Sequence, residues 1–293
     1  MTSHKCTCRS SNEILQWFKE NKIEKNEVVE LELLEEQVLE IGYKSFIDLA
    51  QIFFMKMLTP TLKKDIVTLR FQKLNLDSSF HAEPQGSEKY GVNSTFFKLE
   101  KSEKFSFLYY YKEALNALHV KSKRRVLNIG INGGDEFKVI QDMLTCSEFE
   151  RCEFVGIDYS KSAIEYASNE FKSKNVKMYC HDINHLNELN LAKFDMIISI
   201  GTLQSSNIKF NETFMTLFQN QLEIGGSVLL GFPNCRWIDS EMIYGAKPAN
   251  YSFSELSVVL KDIHFCKKYL QQKKYRVTIT GKDYLFLSAS KII

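Results

Sequence analysis

The stretch Arg125-Val126-Leu127-Asn128-Ile129-Gly130-Ile131-Asn132-Gly133-Gly134-Asp135 carries the residue types that bring a main chain close to a ligand. An apolar run enters a loop crowded with glycines, and glycine accepts backbone angles that a side chain forbids. Val139, Ile140, Met143 and Leu144 then recur at the spacing of one helical face. Strand, glycine loop and helix together form a nucleotide-cradling unit. Two carboxylates are spaced to work with it: Asp158, which ends Phe154-Val155-Gly156-Ile157, and Asp182, which follows Val176–Cys180. Each is suited to accept hydrogen bonds from a ligand; the plainer alternative is a solvated carboxylate at a strand end.

An alternation of strands and helices after about Val120 positions these groups. Arg125 to Gly130 reads as a first strand, Phe154 to Asp158 as a second and Val176 to Cys180 as a third. Phe194 to Ile200 is nearly all apolar, which predicts a fourth strand buried on both faces. Ser160 caps a helix carrying Ala163, Ile164, Ala167 and Phe171 on one side. Phe210 to Leu222 reads as a helix, and Gly225-Gly226 as a turn into a fifth strand ending near Gly231. A helix from about Ser254 to Gln272 precedes Arg276–Ile279, a Gly281-Lys282-Asp283 turn and Tyr284–Ser290, a closing hairpin. The expected fold is therefore α/β, a doubly wound parallel sheet with an antiparallel edge.

Before Val120 the pattern is mainly helical. Asn12 to Lys22 makes a short helix with Ile14, Leu15, Trp17 and Phe18 on its apolar side. Val28 to Leu34 suits either a strand or an acidic helix. Tyr43 to Leu58 reads as a helix stopping before Pro60, Leu74 to Glu88 as loop, and Phe105 to Leu118 as a helix bearing Tyr109, Tyr110 and Tyr111. The expected division is residues 1–120 as a helical lid or substrate wall, and 121–293 as the ligand-binding domain. His81, Tyr90 and the tyrosine run are the candidates to reach the ligand from the first part; three consecutive helical tyrosines point three ways.

Composition sets outer limits. With 293 residues, 44% of them hydrophobic, the chain can bury a full core. A net charge of +2 is too small to argue for a nucleic-acid partner. No apolar run approaches the roughly 18 residues of a membrane span, and Met1 to Cys6 lacks the apolar core of a secretion signal. Seven scattered cysteines fit reduced thiols in the cytoplasm better than a disulfide framework. Cys6-Thr7-Cys8 has no second ligand pair at zinc spacing, so no metal is expected and the segment reads as a frayed end.

From Arg125 to Ile293, somewhat more than half its length, the chain resembles class I S-adenosylmethionine-dependent methyltransferases, in particular the broad small-molecule group. The resemblance rests on ordered signals: Gly130 to Gly134, Gly156-Ile157-Asp158-Tyr159-Ser160, His181-Asp182, Phe194-Asp195-Met196-Ile197-Ile198-Ser199, and the final hairpin. It implies a seven-stranded, mostly parallel Rossmann-like sheet and S-adenosyl-L-methionine as cofactor. The implied cofactor contacts are Asn128, Gly130, Asn132, Gly133 and Gly134 at the methionine end, and Asp158 with Tyr159 at the ribose. Asp182 and Ile183 are implied at the adenine, and Ser199, Ile200 and Gly201 beside the transferable methyl. The family usually has an acid where Asn128 stands and a glycine where Asn132 stands. A dinucleotide dehydrogenase is the competing reading, but a clean G-x-G-x-x-G is missing.

Methyl transfer from a sulfonium is an in-line displacement, so positioning supplies much of the rate. The segment after the fifth strand, Phe232 to Pro248, is dense in ligand-binding types: Asn234, Arg236, Trp237, Tyr244 and Lys247. Arg236 suits an acidic substrate, with Tyr244 as a second positioning group; the alternative is a surface loop in which Arg236 pairs with Asp239 or Glu241. The expected activity is methyl transfer to a small polar or acidic molecule. RNA or protein as acceptor, and a non-catalytic nucleoside-binding protein on the same fold, stay open.

Overall fold

The alternation of Val29, Leu31 and Leu33 with Glu30 and Glu32 forms a strand, the choice the sequence left undecided. The computed structural model describes residues 3–78, 86–245 and 255–292. They divide into two units, Met1–Ala82 with Trp237–Tyr244, and Glu83–Arg236 with Gly245–Ile293. His81, Lys247 and Pro248 lie outside the described residues.

The first unit runs β1 (Ser3–Cys6), α1 (Ser11–Glu20), β2 (Val28–Leu34), α2 (Glu35–Ile41), α3 (Tyr43–Ile52), β3 (Met55–Lys63) and β4 (Ile66–Lys73). Its four strands form one sheet in the order β1-β2-β4-β3. The expectation of a mainly helical region is corrected here, because strands and helices share it about equally. The long helix expected over Tyr43–Leu58 stops at Ile52. Phe54 turns the chain at φ +53°, and Met55 onward pairs with β4, whose Val67, Leu69 and Phe71 face the core. Partner strands override helix propensity at such a segment. The amino end is tied down too: β1 lies parallel to β2, and Cys6 is fully buried.

The second unit begins with turns at Ser87–Tyr90 and Lys101–Glu103 and continues with α4 (Phe105–Ala117), β5 (Arg125–Ile129), α5 (Asp135–Met143) and α6 (Cys146–Glu150). Then come β6 (Glu153–Asp158), α7 (Lys161–Glu170), β7 (Val176–Cys180), β8 (Phe194–Ile200), α8 (Phe210–Thr216) and β9 (Leu222–Pro233). Residues 86–120 thus belong with the α/β sheet, not with the first unit. β10 (Cys235–Ile238) and β11 (Glu241–Tyr244) make a hairpin that counts with the first unit from Trp237 to Tyr244, and its turn residues, Asp239 and Ser240, both have positive φ. The segment expected as a long loop is therefore largely a ribbon, anchored by buried Trp237, Ile238 and Ile243. α9 (Ser257–Gln272), β12 (Tyr275–Gly281) and β13 (Tyr284–Lys291) complete the chain.

The large sheet has the order β12-β13-β9-β8-β5-β6-β7. β5 to β9 are parallel, and β13 and β12 add an antiparallel edge. This is the doubly wound, seven-stranded arrangement the sequence implied. Leu127, Ile129, Val155, Ile157, Ile197 and Leu230 bury one face against Phe214 of α8 and Ile263 of α9. On the other face Phe137 of α5 meets Phe154 of β6 with ring centroids 5.1 Å apart. Burial on both faces explains why the central strands read as unbroken apolar runs. Among the described residues no helix is long and apolar enough to cross a membrane.

Candidate active site

β5, β6 and β8 bring their carboxyl ends together where the strand order reverses, the place at which open α/β sheets bind ligands. β5 ends at Ile129, and Gly130, at φ +77°, turns the chain at once. The N–H groups of Gly130 and Ile131 both donate to the Ile157 carbonyl, at 2.7 and 3.1 Å. Gly134, at φ +97°, closes the loop as the N-cap of α5. A side chain at Gly130 would strike Thr202, and one at Gly134 would meet the Phe171 ring. Both positions therefore require glycine for packing as well as for backbone angle.

Asn132 occupies the position where the family commonly has glycine. Its φ of +47° is left-handed, which asparagine tolerates better than most residues. Its amide nitrogen donates to the Tyr90 carbonyl at 2.7 Å, and its amide oxygen accepts from the Gly133 N–H at 2.9 Å. The Asn132 main-chain N–H donates to Oδ2 of Asp158 at 2.9 Å, while Oδ1 of Asp158 accepts from the Ser160 N–H at 2.9 Å. Burial pushes the Asp158 carboxyl up from its ordinary pKa, and these N–H donors oppose the shift.

A segment before α4 lies over this loop. Glu88 accepts from the main-chain N–H groups of Lys161 and Ser162 at 3.0 and 3.4 Å and from the hydroxyl of Ser160 at 3.2 Å, and it also bonds the Ser162 hydroxyl. It thereby caps α7 alongside Ser160, where a carboxylate complements the helix dipole. Tyr90, a sequence candidate, is held close by: its hydroxyl bonds Ser205 after β8, and burial followed by the Asp158 charge raises its pKa. Phe97 and Tyr166 meet edge to face, 5.0 Å between centroids, beside Gly133. The tyrosine run divides as its helical geometry requires, with Tyr111 fully buried and Tyr109 exposed.

The remaining expected contacts have local roles. Oδ1 of Asp182 accepts from both the main-chain N–H and the side-chain amide of Asn184, each at 2.9 Å, and so opens the Ile183–Leu189 turns. Ile183 and Asn184, with Asn187, Asn207, Thr213 and Gln221, line a cavity of about 410 Å³.

 Ser199 is buried, and its hydroxyl donates to the Ile129 carbonyl at 3.3 Å. Ile200 packs on Gly231, and Gly201, at φ +77°, donates its N–H to the Gly231 carbonyl at 2.8 Å. Tyr159 is exposed.

Arg236 and Tyr244 fall in different units. Arg236 is half-buried, and burial presses its guanidinium pKa down. The Tyr244 N–H donates to the Gln51 side chain at 3.2 Å. Asn234 has a structural role, donating its side-chain amide to the Lys282 carbonyl at 3.1 Å.

Asn128 is fully buried at the end of β5, and neither end of its amide has a hydrogen-bond partner among the described residues. A buried amide in that state costs stability until something bonds it. Together with the Asp158 carboxylate it is chemically suited to a ligand carrying an amino-acid end and a pair of sugar hydroxyls, so these residues fit S-adenosyl-L-methionine. The sequence reading missed Lys101 and Glu136, a buried ion pair 2.8 Å apart. A signal was there: Glu136 precedes Val139, Ile140 and Met143 at helical spacing and so sits on the apolar stripe of α5.

A methyltransferase domain family model matches residues 121–279, more than half of the chain. No curated protein matches the sequence. Among solved structures, TehB from Haemophilus influenzae is 14% identical, with 79% of this chain and 72% of that one covered and a TM-score of 0.43. The N-methyltransferase NodS from Bradyrhizobium japonicum WM9, in complex with S-adenosyl-l-homocysteine, is 13% identical over 74% of this chain and 100% of that one, with a TM-score of 0.49.

Proposed function

The chain belongs to the methyltransferase domain family, and we propose that it transfers a methyl group from S-adenosyl-L-methionine to a small polar or acidic molecule in the cytoplasm. The observation that carries the cofactor half of this reading is the pair formed by unpaired, buried Asn128 and the Asp158 carboxylate at adjacent strand ends. When bound, the cofactor supplies a sulfonium-activated methyl group, and the protein has to align the acceptor with it. Asp158, with Tyr159 beside it, is assigned to the ribose end, Ile183 to the adenine ring and Asp182 to its amino group. The loop from Gly130 to Gly134 is assigned to the methionine end, and Ser199, Ile200 and Gly201 to the wall beside the methyl.

Residues 88–97 serve in this reading as the lid, since they already rest on Asn132, Ser160 and Ser162. Arg236 is assigned to the acceptor; the support is the planar cation's fit to a carboxylate or phosphate. Incubating the protein with S-adenosyl-L-methionine and a metabolite extract tests the whole reading. A protein-dependent gain of one methylene mass in a small acidic or polar compound is expected. Calorimetry that finds no binding of the cofactor or its demethylated product would remove the reading.

A further inference from the structure

The face of the sheet that carries Asn128 also faces the buried ion pair. Asn128 pairs in register with Gly156 of β6, two residues beyond Phe154, so both side chains point to the α5 side. Leu127 and Ile129 point the other way, into the core under α8 and α9. Glu136 stands in the first turn of α5 and is fully buried, and the Tyr111 hydroxyl donates to its carbonyl at 3.5 Å. Lys101, from the turn before α4, bonds Glu136 and lies over the Phe107 ring, 6.0 Å from its centroid. Oε2 of Glu136 has no hydrogen-bond partner among the described residues.

Three buried polar side chains thus share one layer of the second unit, and two of them have unmet hydrogen-bonding capacity. A buried charge pair with open positions is costly unless further groups complete it. The group that completes a carboxylate, an ammonium and an amide together is a zwitterion: its ammonium meets Glu136 and Asn128, and its carboxylate meets Lys101.

Resting on the donor reading above, we infer that Glu136, with Lys101 and Asn128, binds the amino-acid end of the methyl donor. Asn128 carries no charge, so in this chain the negative charge is supplied from the first turn of α5. Burial raises the Glu136 carboxyl, with Lys101 opposing; burial works against the Lys101 ammonium, but Glu136 and Asp135 outweigh it and hold it charged.

The test compares two ligands by calorimetry on the full chain. S-Adenosyl-L-methionine carries the zwitterion, whereas 5′-methylthioadenosine keeps the adenosine and sulfur without it. In Glu136→Gln the first is expected to bind about ten- to hundred-fold more weakly, as for loss of hydrogen bonds to a charged group, with the second unchanged. Where that variant does not fold, Glu136→Asp is expected to give the same selective loss. Recovery in Asn128→Asp/Glu136→Gln would add support by showing that the charge, not the shape, is required. Equal losses for both ligands, or no loss for either, overturns the assignment. Wild-type protein that binds neither compound removes the donor reading itself, and this inference with it.

Discussion

The main-chain N–H of Asn132 donates to Oδ2 of Asp158 at 2.9 Å, so the carboxylate assigned to the ribose also braces the glycine loop. Replacing Asp158 by Ala removes both functions. Cofactor affinity is expected to fall by about 1.5–3 kcal/mol, the range for hydrogen bonds to a charged group. Asp158→Asn keeps an oxygen for the brace and should lose less. Calorimetry on the two variants measures this, and unchanged affinity in the Ala form would refute the ribose assignment.

Glu88 offers a pH-dependent latch. Its bond to the Ser162 hydroxyl, with the other donors at the start of α7, holds its pKa below the ordinary carboxylate value despite burial acting the other way. A carboxyl lowered on folding contributes stability above its unfolded pKa and loses that contribution as pH falls through the folded value. Amide protection over residues 88–97, taken relative to the intrinsic exchange rate at each pH, is therefore expected to fall as the solution is acidified below the usual carboxylate range. Glu88→Gln should show the lower protection already at neutral pH and little further response to acid. Equal protection in the two proteins at neutral pH would count against the latch.

How far the sequence could be read depended on what each signal measures. Apolar runs report burial on both faces, so the central strands and their order were legible. The acid at Asp158 was legible as a strand end, but its bond to the loop was not, because that depends on how two segments far apart in sequence meet. The second half of the Tyr43–Leu58 segment failed for a different reason. Its helical spacing was genuine, and only the partner strand β4 decides the outcome; the alternation of Val67, Leu69 and Phe71 with Thr68, Arg70 and Gln72 was the available clue. Lys101 had no such clue, since a single lysine in a polar stretch reads as solvated.

The ring stack beneath the site should dominate stability of the second unit. Phe154 is fully buried, stacked on Phe149 at 4.6 Å and edge-on to Phe137 at 5.1 Å. Phe154→Ala is expected to cost about 3–5 kcal/mol, because the packed neighbours collapse only partly into the space. Denaturant unfolding followed through the second unit would show the midpoint shift, and a loss below about 1 kcal/mol would mean the rings repack freely.

Gly130 and Thr202 provide a way to separate backbone strain from crowding. Gly130→Ala places a methyl group at φ +77°, against the Thr202 side chain. The left-handed angle alone costs about 1–2 kcal/mol. Gly225 has a similar φ of +86° with nothing within 4 Å of an added Cβ, so Gly225→Ala should show that cost alone. Gly130→Ala should cost more, and Thr202→Ala, which removes two of the three closest atoms, should recover part of the excess. A double-mutant cycle is expected to give a coupling of about 0.5–3 kcal/mol, as for residues in direct contact. Strict additivity would mean that the loop after β8 moves aside freely, and the close seating of Thr202 on Gly130 would then contribute nothing to holding the strand tips together.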